Sequence, residues 1–180
     1  MSDLDDFYEF LEDVNEYCKI QNIPASTASS EFAPGQFEIN LNYTDNILKA
    51  ADDASLLRRV IKETAIKHEY EATFLSKPFL NEAGSGMHVH ISLFDQNNEN
   101  IFCDKDGNDS KELFYAIGGL QNIMFDSFAF FASNQNAYRR FEPDIFVPVN
   151  TSWGHNNRSV AFRIPVSNNK AKRELNWIFI

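Results

Sequence analysis

The chain has 180 residues, a formal net charge of −10, 43% hydrophobic and 14% aromatic residues, including 17 Phe. That length and apolar content provide for a real core and exclude a disordered chain, while the charge argues against nucleic acid or an anionic membrane as the main partner. Cys18 and Cys103 lie outside any Cys-x-x-Cys pattern, no apolar run is long enough to span a bilayer, and the acidic start Met1-Ser2-Asp3-Leu4-Asp5-Asp6 lacks a signal-peptide core; the expectation is a reducing, cytoplasmic location with no structural zinc.

Residues 3–20 predict an amphipathic helix, with Phe7, Phe10, Leu11, Val14 and Cys18 on one stripe and acidic residues in the first turn. Asn22-Ile23-Pro24 ends it. In the stretch Ser29 to Leu41, Pro34-Gly35 is a turn signal. With those two residues as the turn, Phe32 faces Phe37 and Glu31 faces Glu38. Two like charges opposite one another destabilise a strand pair. A cation between them reverses the sign, and Mg²⁺ or Mn²⁺ suits carboxylate oxygens; the alternative is two solvated glutamates on an edge.

Residues 44–70 predict a long helix capped by Thr44, with Ala50, Ala54, Leu57, Ile61 and Ala65 on its apolar stripe and His68 in a structural place near its end. Glu71–Ser76 reads as a strand feeding Lys77-Pro78, where Lys77 is either a phosphate contact or a surface lysine. A glycine-rich turn, Ala83-Gly84-Ser85-Gly86, then leads into Met87-His88-Val89-His90-Ile91-Ser92. Strand alternation puts His88, His90 and Ser92 on one face and Met87, Val89 and Ile91 on the core face. Ile101-Phe102-Cys103 reads as a returning strand. Ser110 caps a helix over roughly 111–132 that buries Leu113, Ile117, Leu120, Met124, Phe128 and Phe131; Gly118-Gly119 within it weaken helicity and allow close packing. Arg158 and Arg163 sit in a strand-like run on opposite faces, so a bend is needed for them to converge. Arginine forks bind carboxylate or phosphate, and arginines interleaved with apolar residues in an acidic chain suggest an anion pocket; the alternative is internal salt bridges to the surplus carboxylates.

These motifs, in this order, resemble the catalytic domain of the glutamine synthetase family. The resemblance rests on Glu31-Phe-Ala-Pro-Gly-Gln-Phe-Glu38, Lys77-Pro78, Gly84-Ser-Gly-Met-His88-Val-His90, Asn136-Ala-Tyr-Arg-Arg140 and Asn157-Arg158 through Arg163-Ile-Pro165. It implies an α+β fold: a curved antiparallel sheet packed with helices, with residues 1–180 forming one partial catalytic domain, incomplete at both ends. It also implies that Glu31 and Glu38 ligate one divalent metal, Mg²⁺ or Mn²⁺, and His88 a second. By the same carry-over Gly84 and Arg140 hold the substrate glutamate, Arg158 and Arg163 meet the transferring phosphate, and His90 and Ser92 lie on the ATP side. The implied reaction is ATP-dependent amide formation on the γ-carboxylate of glutamate through a γ-glutamyl phosphate, with ammonia or a polyamine as nitrogen donor, in ring-shaped homo-oligomers.

Three departures from the family pattern bear on this. Phe146 stands where glutamine synthetase itself has a flap glutamate, and Trp153-Gly154 resembles the γ-glutamyl-polyamine ligases, so an alkyl amine such as putrescine is favoured over ammonium. Ala83 stands where many members carry asparagine. The expected N-terminal β-grasp domain, Glu-x-Glu strand and Arg-Ile-Glu-x-Arg motif have no counterpart; after Lys170-Ala171-Lys172-Arg173 the chain reads Glu174-Leu175-Asn176-Trp177, with Glu174 a candidate substitute for the missing metal ligand. The expectation is therefore a fragment of low or no activity, the alternative being a non-enzymatic remnant or a metal- or nucleotide-binding module.

Overall fold

The computed structural model describes residues 3–141, 150–167 and 169–179. They divide into two compact units, Met1–Phe74 and Leu75–Ile180, each with its own core. Among the described residues no helix is long and apolar enough to cross a membrane.

In the first unit, helix α1 (Asp3–Asp6) is followed after Phe7 by α2 (Tyr8–Ile20). Phe10, Val14 and Cys18 recur every four residues and are the buried positions of α2, as one helix face requires. They pack with Ile23 and with Leu57, Val60 and Ala65 of α3 (Ile47–Lys67). Burial pushes the Cys18 thiol above its ordinary value. The cap of α3 is Asn46 rather than Thr44: the Asn46 side chain accepts from the Lys49 N–H at 3.0 Å, and Thr44 Oγ1 accepts one step earlier from Asn46 N–H. The buried stripe of α3 is also rotated from the expected one. It contains Asp53 and Thr64 beside Leu57, Val60 and Ala65, while Ala50 is exposed. Asp53 is tolerated there because Lys49 Nζ lies 2.7 Å from its carboxylate. His68 is structural, paired with Asp13 at 2.9 Å.

Strands β1 (Ala25–Ser30) and β2 (Phe37–Leu41) form an antiparallel hairpin. Pro34-Gly35 is its turn: Gln36 N–H donates to Ala33 C=O at 3.0 Å, and Gly35 has φ +68, the left-handed value this turn asks of its third residue. The ladder, however, begins at Ser30 opposite Phe37, two residues short of the expected register. Residues 31–36 form a wider loop because their polar groups are satisfied off the ladder. Ala33 N–H donates to the Gln36 side-chain oxygen at 3.1 Å, and Gly35 N–H to Asp3 Oδ2 at 2.8 Å.

The second unit is built on a four-stranded sheet of β3 (Met87–Ile91), β4 (Trp153–His155), β5 (Phe162–Ile164) and β6 (Leu175–Phe179), in the order β3-β6-β5-β4. The class is α+β, as expected, with one difference in the sheet: β4 runs parallel to β5. Helix α4 (Lys111–Phe131) covers one face. Its cap is Ser110, which accepts from Leu113 N–H at 3.2 Å. Leu113, Ile117 and Met124 pack against Phe162, Ile164, Leu175 and Trp177, with Leu120, Phe128 and Phe131 at the margin. Gly118 and Gly119 do not interrupt α4, and a Cβ built on either meets nothing within 4 Å; close packing does not explain them among the described residues. Glu71–Ser76 is not a strand, and Ile101–Cys103 is flanked only by the isolated bridges Phe94↔Asn100 and Cys103↔Asp109.

Candidate functional site

Period-2 alternation decides which side chains share the open face of the sheet. Phe162 and Ile164 are buried in the core, so Arg163 between them faces the other way. The ladder pairs Arg163 with Asn176, Asn176 with His90, and Arg163 with Gly154. His90, Asn176, Arg163 and Gly154 therefore form one row across four strands, with His88 two residues from His90. On the core side Val89 packs as expected, but Met87 is 53% exposed.

Strand β6 and the residue before it meet both histidines at their Nδ1 atoms. Glu174 Oε1 lies 2.7 Å from His90 Nδ1, and Asn176 Nδ2 lies 3.3 Å from His88 Nδ1. Asn176 is fully buried, and its Oδ1 and the Arg163 Nε have no hydrogen-bond partner among the described residues. Such orphaned groups mark a place where a polar ligand or water completes the network. Burial first, then the like charge of Arg158, push the Arg163 guanidinium below its ordinary value, while Glu174 acts in the opposite sense. Arg158 is exposed, in a turn at residues 158–159 ahead of β5. Ser92 follows β3 and is exposed.

A second cluster joins the glycine-rich turn to the segment after α4. Helix α5 (Gln135–Tyr138) places Arg140 just past its end. Arg140 is buried, and burial pulls its guanidinium down from its ordinary value. Its Nη1 donates to Ser85 C=O at 2.6 Å. Gly84 lies directly against it: a Cβ there would stand 2.6 Å from Ser76 O and 2.7 Å from Arg140 Nε. Only glycine fits this approach. Lys77 is neither at the surface nor poised on a ligand; it is buried, and its Nζ donates to Glu82 C=O at 2.7 Å. Among the described residues Arg140, Arg158 and Arg163 make no ion pair within 4.0 Å.

Glu31 and Glu38 belong to the first unit. Ser29, not Glu31, stands opposite Glu38, and Glu31 opens the loop with its N–H donated to Gln36 C=O at 2.8 Å. Both carboxylates stay at the loop end of the hairpin and both are exposed. Two carboxylates with remaining positions left to water or phosphate suit Mg²⁺. Yet among the described residues no three His, Cys, Asp or Glu side chains gather as a metal-holding group, so the residues present supply at most part of a ligand set. Phe146 lies outside the described residues.

Sequence reasoning missed Asn136, Lys77 and Asn176 as organisers of these clusters. Asn136 stood inside a quoted motif, but its task, bonding to a backbone 59 residues away, carries no local signal. Asn176 is read only once the pairing of β6 with β3 is known.

In this α+β chain one arginine, Arg140, is buried beside a glycine turn, and another, Arg163, shares a sheet face with His90. The family description "Glutamine synthetase, catalytic domain" matches residues 1–176, and the chain belongs to the glutamine synthetase family. It is 48% identical over 165 residues to gamma-glutamylputrescine synthetase PuuA of Escherichia coli (strain K12), covering 92% of this chain and 35% of that protein. It is 40% identical over 167 residues to a glutamine synthetase of Thermotoga maritima, covering 92% and 38%. The cryoEM structure of Plasmodium falciparum glutamine synthetase superposes with a TM-score of 0.88 at 28% identity, over 94% of this chain and 33% of that one. The chain thus spans little more than a third of the curated relatives it matches.

Proposed function

We propose that this chain carries the glutamate- and phosphate-handling part of an ATP-dependent γ-glutamyl-amine ligase. The observation that carries the reading is the juxtaposition of Gly84 with buried Arg140, in a member of this family, on a loop leading into the His88–His90 strand. In the proposed reaction an oxygen of the glutamate γ-carboxylate attacks the γ-phosphorus of ATP and ADP leaves. The amine nitrogen then attacks the acyl carbon, and phosphate departs. Arg140 grips the glutamate carboxylate against Gly84. Arg158 and Arg163 face the transferring phosphoryl group, where cationic donors offset developing charge, and His90 and Ser92 lie on the nucleotide side. Glu31 and Glu38 are donors toward one divalent ion and His88 toward another; such ions, when bound, neutralise phosphate charge.

An alkyl amine such as putrescine is the proposed nitrogen donor. The higher identity to a γ-glutamylputrescine synthetase supports it, at 48% against 40% for a glutamine synthetase. Residues 1–180 are read as part of one catalytic domain, with ring assembly and a cytoplasmic location following from the same reading. Turnover by the isolated chain is expected to be low, since no three metal ligands gather among the described residues. That same observation favours a second reading, a metal- or nucleotide-binding module without turnover.

Calorimetry with glutamate and with ATP, followed by ADP release with putrescine and with ammonium, tests the proposal. Binding of both ligands, with any turnover preferring putrescine, is the expected result; no binding of either at millimolar concentration overturns it. Binding of Mn²⁺ or ATP with no glutamate-dependent ADP release selects the second reading.

A further inference from the structure

The pair Gly84 and Arg140 is held together by a circuit of hydrogen bonds that runs through Asn136. Asn136 Oδ1 accepts from Lys77 N–H at 2.8 Å, and Asn136 Nδ2 donates to Lys77 C=O at 2.8 Å. Both backbone groups of one residue are thus bound by one side-chain amide. The Lys77 side chain turns back to Glu82 C=O at 2.7 Å, and Ser85 N–H donates to Ser76 C=O at 2.8 Å. These bonds cinch residues 76–85 into a loop whose neck is gripped by Asn136. Arg140 lies four residues further on and closes the circuit with its bond to Ser85 C=O.

We infer that Asn136 is a positioning residue that sets the distance between the Gly84 backbone and the Arg140 guanidinium, and so the geometry with which the pair takes a carboxylate. The inference deepens the ligase reading and rests on it for the identity of that carboxylate. The residue type follows from the task. A side-chain amide accepts from an N–H with its oxygen and donates to a C=O with its nitrogen, so one planar group meets both. Aspartate keeps the acceptor, loses the donor and sets a charge against the Lys77 carbonyl; alanine loses both bonds.

The test compares the parent chain with Asn136→Ala and Asn136→Asp by amide hydrogen exchange and by calorimetry with glutamate and with ATP. In Asn136→Ala, exchange at Ser85 and Lys77 rises about tenfold or more while that at Val89 in β3 holds, and glutamate affinity falls about tenfold with ATP affinity little changed. In Asn136→Asp the Lys77 N–H stays protected and glutamate affinity falls less; this variant carries the test should the alanine variant fail to fold. Unchanged Ser85 exchange in both variants overturns the inference. So does a uniform rise in exchange with equal loss of glutamate and ATP, which marks a merely structural residue. A parent chain that binds no glutamate overturns the ligase reading instead, and Ser85 exchange still decides whether Asn136 positions the loop.

Discussion

Glu31 and Glu38 stand exposed at the loop end of a hairpin, whereas Arg140 is buried behind a loop tied by its own hydrogen bonds. On the proposed reading each group awaits a charge of the opposite sign. In a chain with 26 acidic residues against 16 basic ones, a carboxylate needs no protection from neighbours of its own sign, and an arriving cation supplies the order. Arg140 is bonded to a backbone carbonyl, which on the same reading leaves its charge for an anion, at the cost of desolvation that a guanidinium tolerates because it stays protonated.

The largest effect that sharpens this contrast is expected where Gly84 meets Arg140. Gly84→Ala drives a Cβ into the Ser76 carbonyl and the Arg140 side chain, and should destabilise the second unit by about 1–3 kcal/mol, read by chemical denaturation. Next in size are the glycines of α4, where a Cβ meets nothing within 4 Å. Gly118→Ala or Gly119→Ala should stabilise by about 0.8–1 kcal/mol each, as a helix interior with room for the methyl gains from alanine; destabilisation would show that α4 is covered. Smaller still, Glu31→Gln and Glu38→Gln should leave stability within about 0.5 kcal/mol while lowering Mn²⁺ affinity in calorimetry. A large melting shift there would break the contrast, since it would mean the hairpin carboxylates are structural.

Carboxylates have a third use in the second unit, with the smallest expected effect. Asp95 and Asp104 brace tight loops by accepting backbone N–H groups, from Asn97 and Glu99 in one and from Asp106 and Asn108 in the other. Those backbone bonds lower both carboxyls below their ordinary value. A lowered folded-state pKa gives stability that is fully present above the unfolded aspartate value, about 3.9, and is lost as pH falls through the lower folded value. The amide signals of Asn97 and Asn108 should therefore hold through pH 5 and shift only in stronger acid.

What was legible in the sequence was what local spacing encodes. The stripe Phe10, Val14, Cys18 and the Ser110 cap read directly, since both depend on residues within a turn or two. The hairpin turn was legible from Pro34-Gly35, but its register was not. Asp3 and the Gln36 side chain satisfy loop N–H groups, and nothing within the hairpin announces that. Strand β6 pairs with a segment some 88 positions away, Asn176 reaching His88, so its residues show their roles only through tertiary pairing. The arginines were legible as residue types; that Arg163 shares a sheet face with His90 depended on the pairing of β5 with β6 and of β6 with β3. Lys77 read as surface or ligand-facing because its burial arises from Asn136 and Glu82, distant or backbone partners without pattern.

The most direct measurement is a calorimetric glutamate titration of three proteins: the parent chain, Arg140→Ala, and the Glu31→Ala, Glu38→Ala double variant, each without divalent ions. The account predicts that the parent and the double variant bind glutamate alike, because the pocket is organised without the hairpin carboxylates, and that Arg140→Ala does not bind. Equal binding by Arg140→Ala and the parent, or loss of binding in the double variant, would contradict it.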